Sequence, residues 1–582
     1  MIAKTQEKSI VLRLKETVAK AAGVEVEIVK LEHPEVEEYG DYSTNIALQA
    51  FKLIQSNIQG IKLHKIAVKA ATAREFAEKI AQFISQDALI AKVEVAGPGF
   101  INIWLQSEYL VSEISRVIAQ AQDYGKVLAE SPRRVMVEYA HPNTHKEMHI
   151  GHMRTLITGE SVARILKFVG NKVFRANYQG DIGPHVAKSI WGTHKIMEER
   201  GISWDSAEQL TLAGKAHLLG EGYVRGNKDY EDNKSEMDDI NKQLYKKEGE
   251  VWPVYERTRR WSLEYYDMFY DRFGTKFDRC FYESEMAEKG IKLVEDHLGT
   301  IFTKSQGALI FEGENYGLHT RVFVTADGNP TYEGKELANA MTEREAFDFD
   351  QKIHVVANEQ EGYFKVVIKA LELIDPTLVG KQMHLSMGMV NLVGRKISSR
   401  TGEIITVDDL LDTVKEELKA LMKEGGEEAL EQVTIGAVKY SVLKNHPSVN
   451  TAFDINQSIN IHGNSGPYLQ YTHARIVSVT KTTVATELDT DYRMNSEEEK
   501  VAKMIYKFGE VVEESASRLA PNLLCNYLYE LAQRFNAFYN AHSILKAETP
   551  EQVNFRLNLA RATGIILKNG LELLGISAPE KM

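Results

Sequence analysis

A short apolar run that leads through a histidine-rich segment into a helical pattern is the most constraining feature of this sequence. The run, residues 135–140, has the length and apolar character of a buried parallel strand. Between it and the helical pattern stands His149-Ile150-Gly151-His152. The carboxyl ends of parallel strands form the ligand-binding edge of α/β sheets, so we predict an α/β domain with a site at this turn. Apolar residues recur at the spacing of one helical face at Leu156, Ile157, Ala163, Ile165 and Leu166.

The chemistry of this turn suits a polyphosphate. A helix N-terminus presents free N–H groups and the positive end of its dipole. His149 and His152 are three residues apart, so we expect both to project from one helical face and to donate hydrogen bonds to phosphate oxygens. Gly151 has no Cβ, which leaves room for a flat adenine against the backbone.

A zinc site is the alternative interpretation of the same segment. Histidines at positions 141, 145, 149 and 152 crowd into twelve residues, and histidines four apart on a helix often bind zinc. The spacing is not the His-Glu-x-x-His of zinc proteases, and Pro142 and Asn143 indicate a loop up to about residue 145. We therefore predict no bound metal.

Length and composition are those of an ordinary globular protein with several domains. The chain has 582 residues, of which 43% are hydrophobic and 26% charged. We find no run of 18 apolar residues and no apolar core of a signal peptide near residue 1. The cysteines, Cys280 and Cys525, cannot form a disulfide framework and fit a reducing compartment, so we expect a cytoplasmic protein without a membrane partner.

The net charge of −12 leaves the question of a nucleic-acid partner open. Binding to a polyanion depends on local basic patches rather than on the sum of charges. Charge alone therefore excludes no partner class.

The wider pattern around the first motif resembles the class I aminoacyl-tRNA synthetases. Pro142-Asn143-x-x-Lys146-x-x-His149-x-Gly151-His152-x-Arg154 is similar to the form of the motif found in arginyl-tRNA synthetases. The resemblance implies a Rossmann-like parallel-sheet catalytic domain, a small α+β N-terminal domain and an all-α C-terminal anticodon-binding domain.

The resemblance and the local patterns together predict the domain boundaries. Within the N-terminal domain we expect a strand over 24–31, a loop over 40–45 and a hairpin over 93–104. Apolar residues at helical spacing predict helices that begin near residues 501, 521 and 551. The predicted parts are a tRNA-contacting α+β domain (1–110), a linking helix (111–132), a catalytic domain (133–400) with a helical insertion (about 190–300), a helical connector (401–434) and an α-helical anticodon-binding domain (435–582).

A selective pocket for arginine needs carboxylates, because the guanidinium is always charged and offers a fork of donors. Glu138 ends the first catalytic strand, and the resemblance places the guanidinium-binding acids at Glu138 and Glu336. Glu336 stands where the family usually has aspartate, and a plain salt bridge is the alternative role for Glu138. The resemblance assigns further arginine contacts to Tyr332, Asn143, His149 and Gln360.

Residues 394–402, Gly-Arg-Lys-Ile-Ser-Ser-Arg-Thr-Gly, resemble the second class I signature, Lys-Met-Ser-Lys-Ser. A glycine-flanked loop of cations and hydroxyls can close over pyrophosphate, although such a stretch by itself could be a surface turn. Lys396 matches the first lysine, and Ser399 replaces the second. The resemblance implies that Lys146 supplies the missing cation and that Lys396, Ser398 and Ser399 bind ATP.

Two groups of residues are candidates for tRNA contact by stacking and hydrogen bonding. Asn102 and Trp104 belong to the N-terminal hairpin, where Trp104 could equally be a core residue. The second group opens the C-terminal domain at Tyr468, Gln470, His473 and Arg475, some of which could instead pack the helix.

The activity implied by the resemblance is the ligation of arginine to its tRNA. Arginyl-adenylate forms from arginine and ATP with magnesium, His149, His152, Lys146 and Lys396 act on the phosphates, and activation requires bound tRNA. We expect a monomer. The rival interpretations are a small nucleotidylyltransferase, which would lack the long helical region at 435–582, an inactive tRNA-binding relative, and a class I enzyme for another amino acid.

Overall fold

The computed structural model describes residues 9–55, 70–127, 131–393, 406–422, 425–481 and 486–582. The chain divides into two compact units. One comprises residues 1–125, 476–510 and 530–566, and the other comprises residues 126–475, 511–529 and 567–582.

The first unit begins with a small sheet and four helices. The strands are β1 (Tyr42–Thr44), β2 (Ile90–Ala96) and β3 (Phe100–Leu105). The helices are α1 (Ile10–Ala22), α2 (Ile46–Gln55), α3 (Ala73–Ile84) and α4 (Ser107–Gln120). Strand β3 lies between β1 and β2 and is antiparallel to both, which confirms the predicted hairpin.

The predicted strand over residues 24–31 is wrong. Val26–Ile28 forms a 3-10 turn, and the predicted loop supplies β1 instead. Tyr42 pairs with Ile103, so β1 occupies the edge of β3 that another strand would need. The apolar alternation of residues 24–31 could not reveal which segment takes that edge.

The second unit is built on a parallel sheet with smaller sheets beside it. Its strands are β4 (Arg134–Glu138), β5 (Lys172–Gln179), β6 (Arg279–Tyr282), β7 (Thr303–Ser305), β8 (Ala308–Phe311), β9 (Arg321–Val324), β10 (Gln351–Ala357), β11 (Gln382–Met387), β12 (Val390–Val393) and β13 (Thr451–Asp454). The main sheet has the order β11-β10-β4-β5-β6, and all of its neighbouring strands are parallel. The predicted parallel α/β domain is confirmed.

Helices cover this sheet and make up most of the insertion between β5 and β6. They are α5 (Ile150–Phe168), α6 (Pro184–Arg200), α7 (Trp204–Ala207), α8 (Leu212–Lys228), α9 (Lys234–Lys246), α10 (Val251–Arg272), α11 (Glu283–Asp296), α12 (Tyr332–Ala346) and α13 (Glu361–Ile374). A buried apolar cluster that includes Met136, Phe281, Leu337 and Val367 joins the sheet to α11, α12 and α13. This packing places the carboxyl ends of β4 and β10 beside the start of α12.

The remainder of the described chain is mainly helical. Its helices are α14 (Val407–Lys419), α15 (Gly426–Leu443), α16 (Ile455–Ser458), α17 (Gly466–Thr480), α18 (Ser496–Tyr506), α19 (Phe508–Arg518), α20 (Pro521–Ala541) and α21 (Pro550–Leu573). The predicted helix starts near residues 521 and 551 agree with α20 and α21. Helix α15 runs through the predicted boundary between residues 434 and 435, so no domain break lies there.

Helices α6 and α8 cross with their backbones in contact. A Cβ at Gly192 of α6 would overlap the carbonyl oxygen of Gly222 in α8, and a Cβ at Gly226 would overlap that of Lys188. Only a residue without a side chain allows this approach. In the described part of the chain, no helix is long and apolar enough to span a membrane.

Candidate active site

The turn between β4 and α5 is held in an unusual backbone conformation. Ala140, His141 and His145 all have positive φ angles, of 78°, 50° and 63°. Such residues persist only where their surroundings fix them. Tyr266 of α10 provides one such restraint, because its hydroxyl donates to the carbonyl oxygens of Asn143 at 2.6 Å and Lys146 at 2.8 Å.

His145 is a structural residue of this turn. Its Nδ1 lies 2.9 Å from Thr144 Oγ1 and its Nε2 lies 2.8 Å from Thr258 Oγ1. Burial lowers its pKa to about 3, so the ring is neutral. With both ring nitrogens held by hydroxyls, His145 does not join the other histidines of the turn in a four-ring zinc site.

His149 and His152 lie together, but not in the predicted way. His149 is the N-cap of α5 rather than a residue on its face, and its Nδ1 accepts from the N–H groups of Gly151 at 3.1 Å and His152 at 3.4 Å. The two rings stack with centroids 3.7 Å apart. The i, i+3 pattern predicted their proximity, but it could not show that the first ring would cap the helix.

Capping fixes the tautomer of His149. Because Nδ1 accepts backbone hydrogen bonds, the ring proton of the neutral form resides on Nε2, which is then a donor. Gly151 is required for this arrangement, since a Cβ there would lie 2.9 Å from His149 Cε1.

Both histidines are neutral at physiological pH and are surrounded by groups that disfavour their protonation. Burial, followed by the nearby Lys146, lowers the pKa of His149 to about 4. Burial and the neighbouring His149 hold the pKa of His152 well below its usual value. The Lys146 ammonium lies 4.0 Å from the ring centre of Tyr223 in α8. The turn therefore combines neutral ring donors with one cation, a combination suited to a polyphosphate.

The predicted loop residues Lys396, Ser398 and Ser399 lie outside the described residues, but the described flanks of that segment are attached to α5. Thr406 forms an antiparallel bridge with His149, and the Val407 N–H donates to the Met148 carbonyl at 2.9 Å. On the preceding side, the buried Arg154 donates to the carbonyl of Met389 at 2.8 Å. Both flanks of residues 394–405 therefore meet the first turns of the helix that begins at the histidines.

The hydrogen bonds of Arg154 should strongly stabilise the segment that precedes residue 394. Its guanidinium also donates to the carbonyls of Pro447 at 3.0 Å and Val449 at 2.7 Å, next to β13. We expect Arg154→Met to lower the free energy of unfolding by about 3 kcal/mol, because the buried hydrogen bond to Pro447 and two part-buried hydrogen bonds lose their charged donor. Urea unfolding measures this, with Arg154→Lys giving an intermediate loss. A loss below about 0.5 kcal/mol would contradict the anchoring role.

A buried charge cluster lies beside the turn, at the end of β4 and in the neighbouring part of β10. Glu138 is 1% exposed, and its Oε2 lies 2.6 Å from the Lys352 ammonium. Its Oε1 lies 3.3 Å from His354 Nδ1, and Asn339 of α12 donates to Oε2 at 3.3 Å. Burial by itself would raise the pKa of Glu138, but Lys352 and His354 hold it well below its usual value. The salt bridge expected as an alternative role for Glu138 is thus present.

Glu336 faces Glu138 from the first turns of α12. The residue is 5% exposed and its Oε1 has no hydrogen-bond partner. Burial and the neighbouring Glu138 raise the pKa of Glu336 to about 8. An oxygen of each carboxyl lies within 4.8 Å of His354, a separation that would also admit a metal ion, but the Lys352 ammonium already lies against Glu138.

The other predicted arginine contacts are less enclosed. Tyr332 is the first residue of α12 and is 54% exposed, and Gln360 is exposed in the turn Asn358–Gln360 at the end of β10. The Asn143 side chain lies against Gly180, where a Cβ would overlap its Oδ1. The backbone at Gly180 is therefore approached by the Asn143 side chain.

Sequence reasoning missed Lys352, Glu343 and Asp181. Lys352 also forms an ion pair with the fully buried Glu343. Asp181 is fully buried and accepts from the Arg259 guanidinium at 2.6 Å and from the Ser284 N–H at 2.8 Å, which fixes the loop after β5 to α10 and α11. One sequence signal could have revealed the buried charge cluster. Lys352 and His354 alternate with apolar residues inside a strand that reads as buried, and buried charges require partners.

The predicted tRNA contacts differ in their accessibility. Asn102 is 5% exposed and accepts from Ser43 at 2.8 Å, whereas Trp104 is half-buried with the Lys92 ammonium 4.4 Å from its ring centre.

In α17, Gln470 donates to the carbonyl of Ser577 at 2.8 Å, and His473 Nδ1 lies 3.0 Å from the carbonyl of Pro579. Gln470 and His473 are buried against the C-terminal segment, so in this conformation they present nothing to a nucleic acid. Tyr468 and Arg475 are half-buried and remain candidates.

A parallel sheet whose first strand leads through His-Ile-Gly-His into a capped helix is the arrangement of a class I aminoacyl-tRNA synthetase. The family model described as "tRNA synthetases class I (R), catalytic domain" matches residues 113–455. The models for the arginyl tRNA synthetase N terminal domain and the DALR anticodon binding domain match residues 8–105 and 469–582. The chain belongs to the arginyl-tRNA synthetase family.

Similar proteins cover nearly the whole chain. An arginine–tRNA ligase from Treponema denticola is 32% identical over 84% of this chain and 85% of its own length. One from Streptococcus suis is 32% identical over 95% of both. The solved arginyl-tRNA synthetase of Thermus thermophilus has a TM-score of 0.80 at 24% identity, and the match covers 98% of this chain and all of that one. The last comparison shows the shared fold.

Proposed function

We propose that this chain is an arginine–tRNA ligase whose site lies between the buried carboxyls and the capped start of α5. The single observation that carries the proposal is the position of Glu138 and Glu336. Two buried carboxyls, one with an unpartnered oxygen, meet beside a helix N-terminus that carries neutral histidine donors. Such carboxyls match a guanidinium, and the helix start matches a polyphosphate.

The reaction begins with arginine and ATP, which enters as its magnesium complex. A carboxylate oxygen of arginine attacks the α-phosphorus of ATP, the bond to the bridging oxygen breaks, and pyrophosphate leaves with that electron pair. His149 Nε2 and His152 donate to the phosphate oxygens as charge develops, and Lys146 and Lys396 compensate that charge. Asn143, Tyr332 and Gln360 orient the amino acid, and Gly151, Ser398 and Ser399 contact ATP.

The second step transfers the arginyl group from the adenylate to the terminal adenosine of tRNA, with release of AMP. We place tRNA contacts at Trp104, Tyr468 and Arg475, whose side chains are at least partly exposed. We further propose a cytoplasmic monomer that activates arginine only with tRNA bound.

ATP–pyrophosphate exchange with each of the twenty amino acids, with and without tRNA, tests this function. We expect exchange with arginine alone among the amino acids, and only when tRNA is present. Exchange with arginine in the absence of tRNA would refute the tRNA requirement but keep the activity. Absence of exchange under both conditions would overturn the proposed function.

A further inference from the structure

The cluster beside α5 contains more carboxyls than cations. Glu138, Glu336 and Glu343 are each at least 95% buried, and the fully buried Lys352 places one ammonium among them. Lys352 contacts Oε2 of Glu138 and Oε2 of Glu343, whereas Glu336 forms no ion pair with any described residue. Oε1 of Glu336 and Oε1 of Glu343 have no hydrogen-bond partner. A buried uncompensated carboxylate is costly, so charge balance requires protons on this cluster when no second cation is present.

The groups that face Glu336 come from every element packed around it. They are Glu138 of β4, Tyr178 of β5, Glu283 of α11, Asn339 of its own helix, Lys352 and His354 of β10, and Tyr363 of α13. Two cations of the described residues carry partners in this region: Lys352 is paired with Glu138 and Glu343, and Lys335 is paired with Glu283. Burial keeps the pKa of His354 at about 4, so this ring adds no charge at neutral pH.

We propose that Glu336 carries a proton in the free enzyme and releases it to solvent when the guanidinium of arginine enters the pocket. The O–H bond of the Glu336 carboxyl breaks, the proton goes to water or buffer, and the arriving guanidinium replaces it as the positive charge. Glu138 stays ionised in both states because Lys352 remains on it. This inference rests on the proposed function and specifies how the same site would select a cation.

The two acids have different roles, because Glu138 already has an internal partner and Glu336 does not. Glu138 is occupied by Lys352 and cannot neutralise a second cation alone. Glu336 can, because its unpartnered oxygen becomes an acceptor for the guanidinium and its proton leaves. A neutral analogue such as citrulline provides no charge to replace that proton, so its binding should release none.

Isothermal titration of the full chain with arginine at pH 7, in two buffers of different ionisation enthalpy, counts the released protons. Since the pKa of Glu336 is raised to about 8, we expect about 0.9 proton released per arginine. The bound state holds fewer protons than the free state, so affinity must rise with pH. We expect Kd to fall about tenfold between pH 6 and pH 7 and to level off above pH 8. The titration is repeated with tRNA bound.

Glu336→Gln and Glu343→Gln form a matched pair of variants. Each replaces a buried carboxyl that has one oxygen without a hydrogen-bond partner by its neutral isostere. Glu343 already contacts the Lys352 ammonium, whereas Glu336 forms no ion pair with any described residue. We expect Glu336→Gln to abolish proton release and Glu343→Gln to retain it. If Glu336→Gln does not bind arginine, the number of protons released by the unmodified chain and the pH dependence of its Kd test the inference instead. Proton release together with a Kd that falls with pH would support it, and no release would overturn it.

The titration distinguishes a failure of this inference from a failure of the proposed function. Arginine binding without proton release, or equal release by the unmodified chain and Glu336→Gln, would overturn this inference and leave the proposed function intact. Absence of arginine binding both with and without tRNA would count against the proposed function itself.

Discussion

Replacing His149 with asparagine should lower the rate of arginine-dependent ATP–pyrophosphate exchange on the order of 100- to 1,000-fold while leaving stability nearly unchanged. His149 has two roles in the structure, as N-cap of α5 through Nδ1 and as a ring donor through Nε2. Asparagine is a good N-cap, so it keeps the first role and removes the second. The expected loss is that of one preorganised donor to the charge that develops at phosphorus.

His149→Ala is the matched control for this variant. Alanine removes the cap as well as the donor, so it should cost about 1 kcal/mol of additional stability. Exchange rates at saturating ATP, arginine and tRNA, together with urea unfolding, separate the two effects. If His149→Asn kept the unmodified rate, His149 would be a cap alone and the phosphate role would have to move to His152.

Lys352→Met should be among the most destabilising single substitutions in the sheet, with an expected loss of about 3–5 kcal/mol at pH 7. The side chain is fully buried between Glu138 and Glu343. Without the ammonium, Glu138 either remains as an unpaired buried charge or takes up a proton. The loss should therefore be smaller at pH 5, where protonation of that carboxyl is less costly.

Two further variants test the origin of this effect. Lys352→Met combined with Glu138→Gln removes the ammonium and one of its two carboxylate partners, and it should recover part of the loss because Glu138 is no longer an unpaired buried charge. Arg200→Met breaks the exposed pair with Glu221, whose nitrogen–oxygen distance is 2.8 Å, and should cost about 1 kcal/mol or less. Equal losses for Lys352→Met and Arg200→Met in urea unfolding would contradict a buried charge cluster.

Local sequence signals were sufficient for the main elements of the catalytic domain. The predicted strand before the histidines and the predicted helix after them are present as β4 and α5. The formation of each of these elements depends on residues that are close in the sequence, so the spacing of apolar residues predicts them. Glu138 and Glu336 were named as candidates because the family resemblance places guanidinium-binding acids at these positions, and their role stays a prediction.

Features that depend on distant partners were missed. Gln470 and His473 have the polar character of contact residues, yet they bind the carbonyls of Ser577 and Pro579, more than 100 residues away. Likewise, nothing near Lys352 in the sequence shows that its partners are Glu138 and Glu343. The state of Glu336 depends on the balance of charges across several elements, which only the folded arrangement reveals.

The close backbone contact of α6 and α8 at their glycines affects how inactive variants of such a protein are interpreted. One added methyl group at Gly192 would force the helices apart, although no atom of Gly192 belongs to the proposed reaction site. A screen that scores only growth or charging would place Gly192→Ala beside His149→Asn as equally inactive. Soluble yield and melting temperature separate the two classes, since the first variant fails to assemble and the second folds but does not turn over.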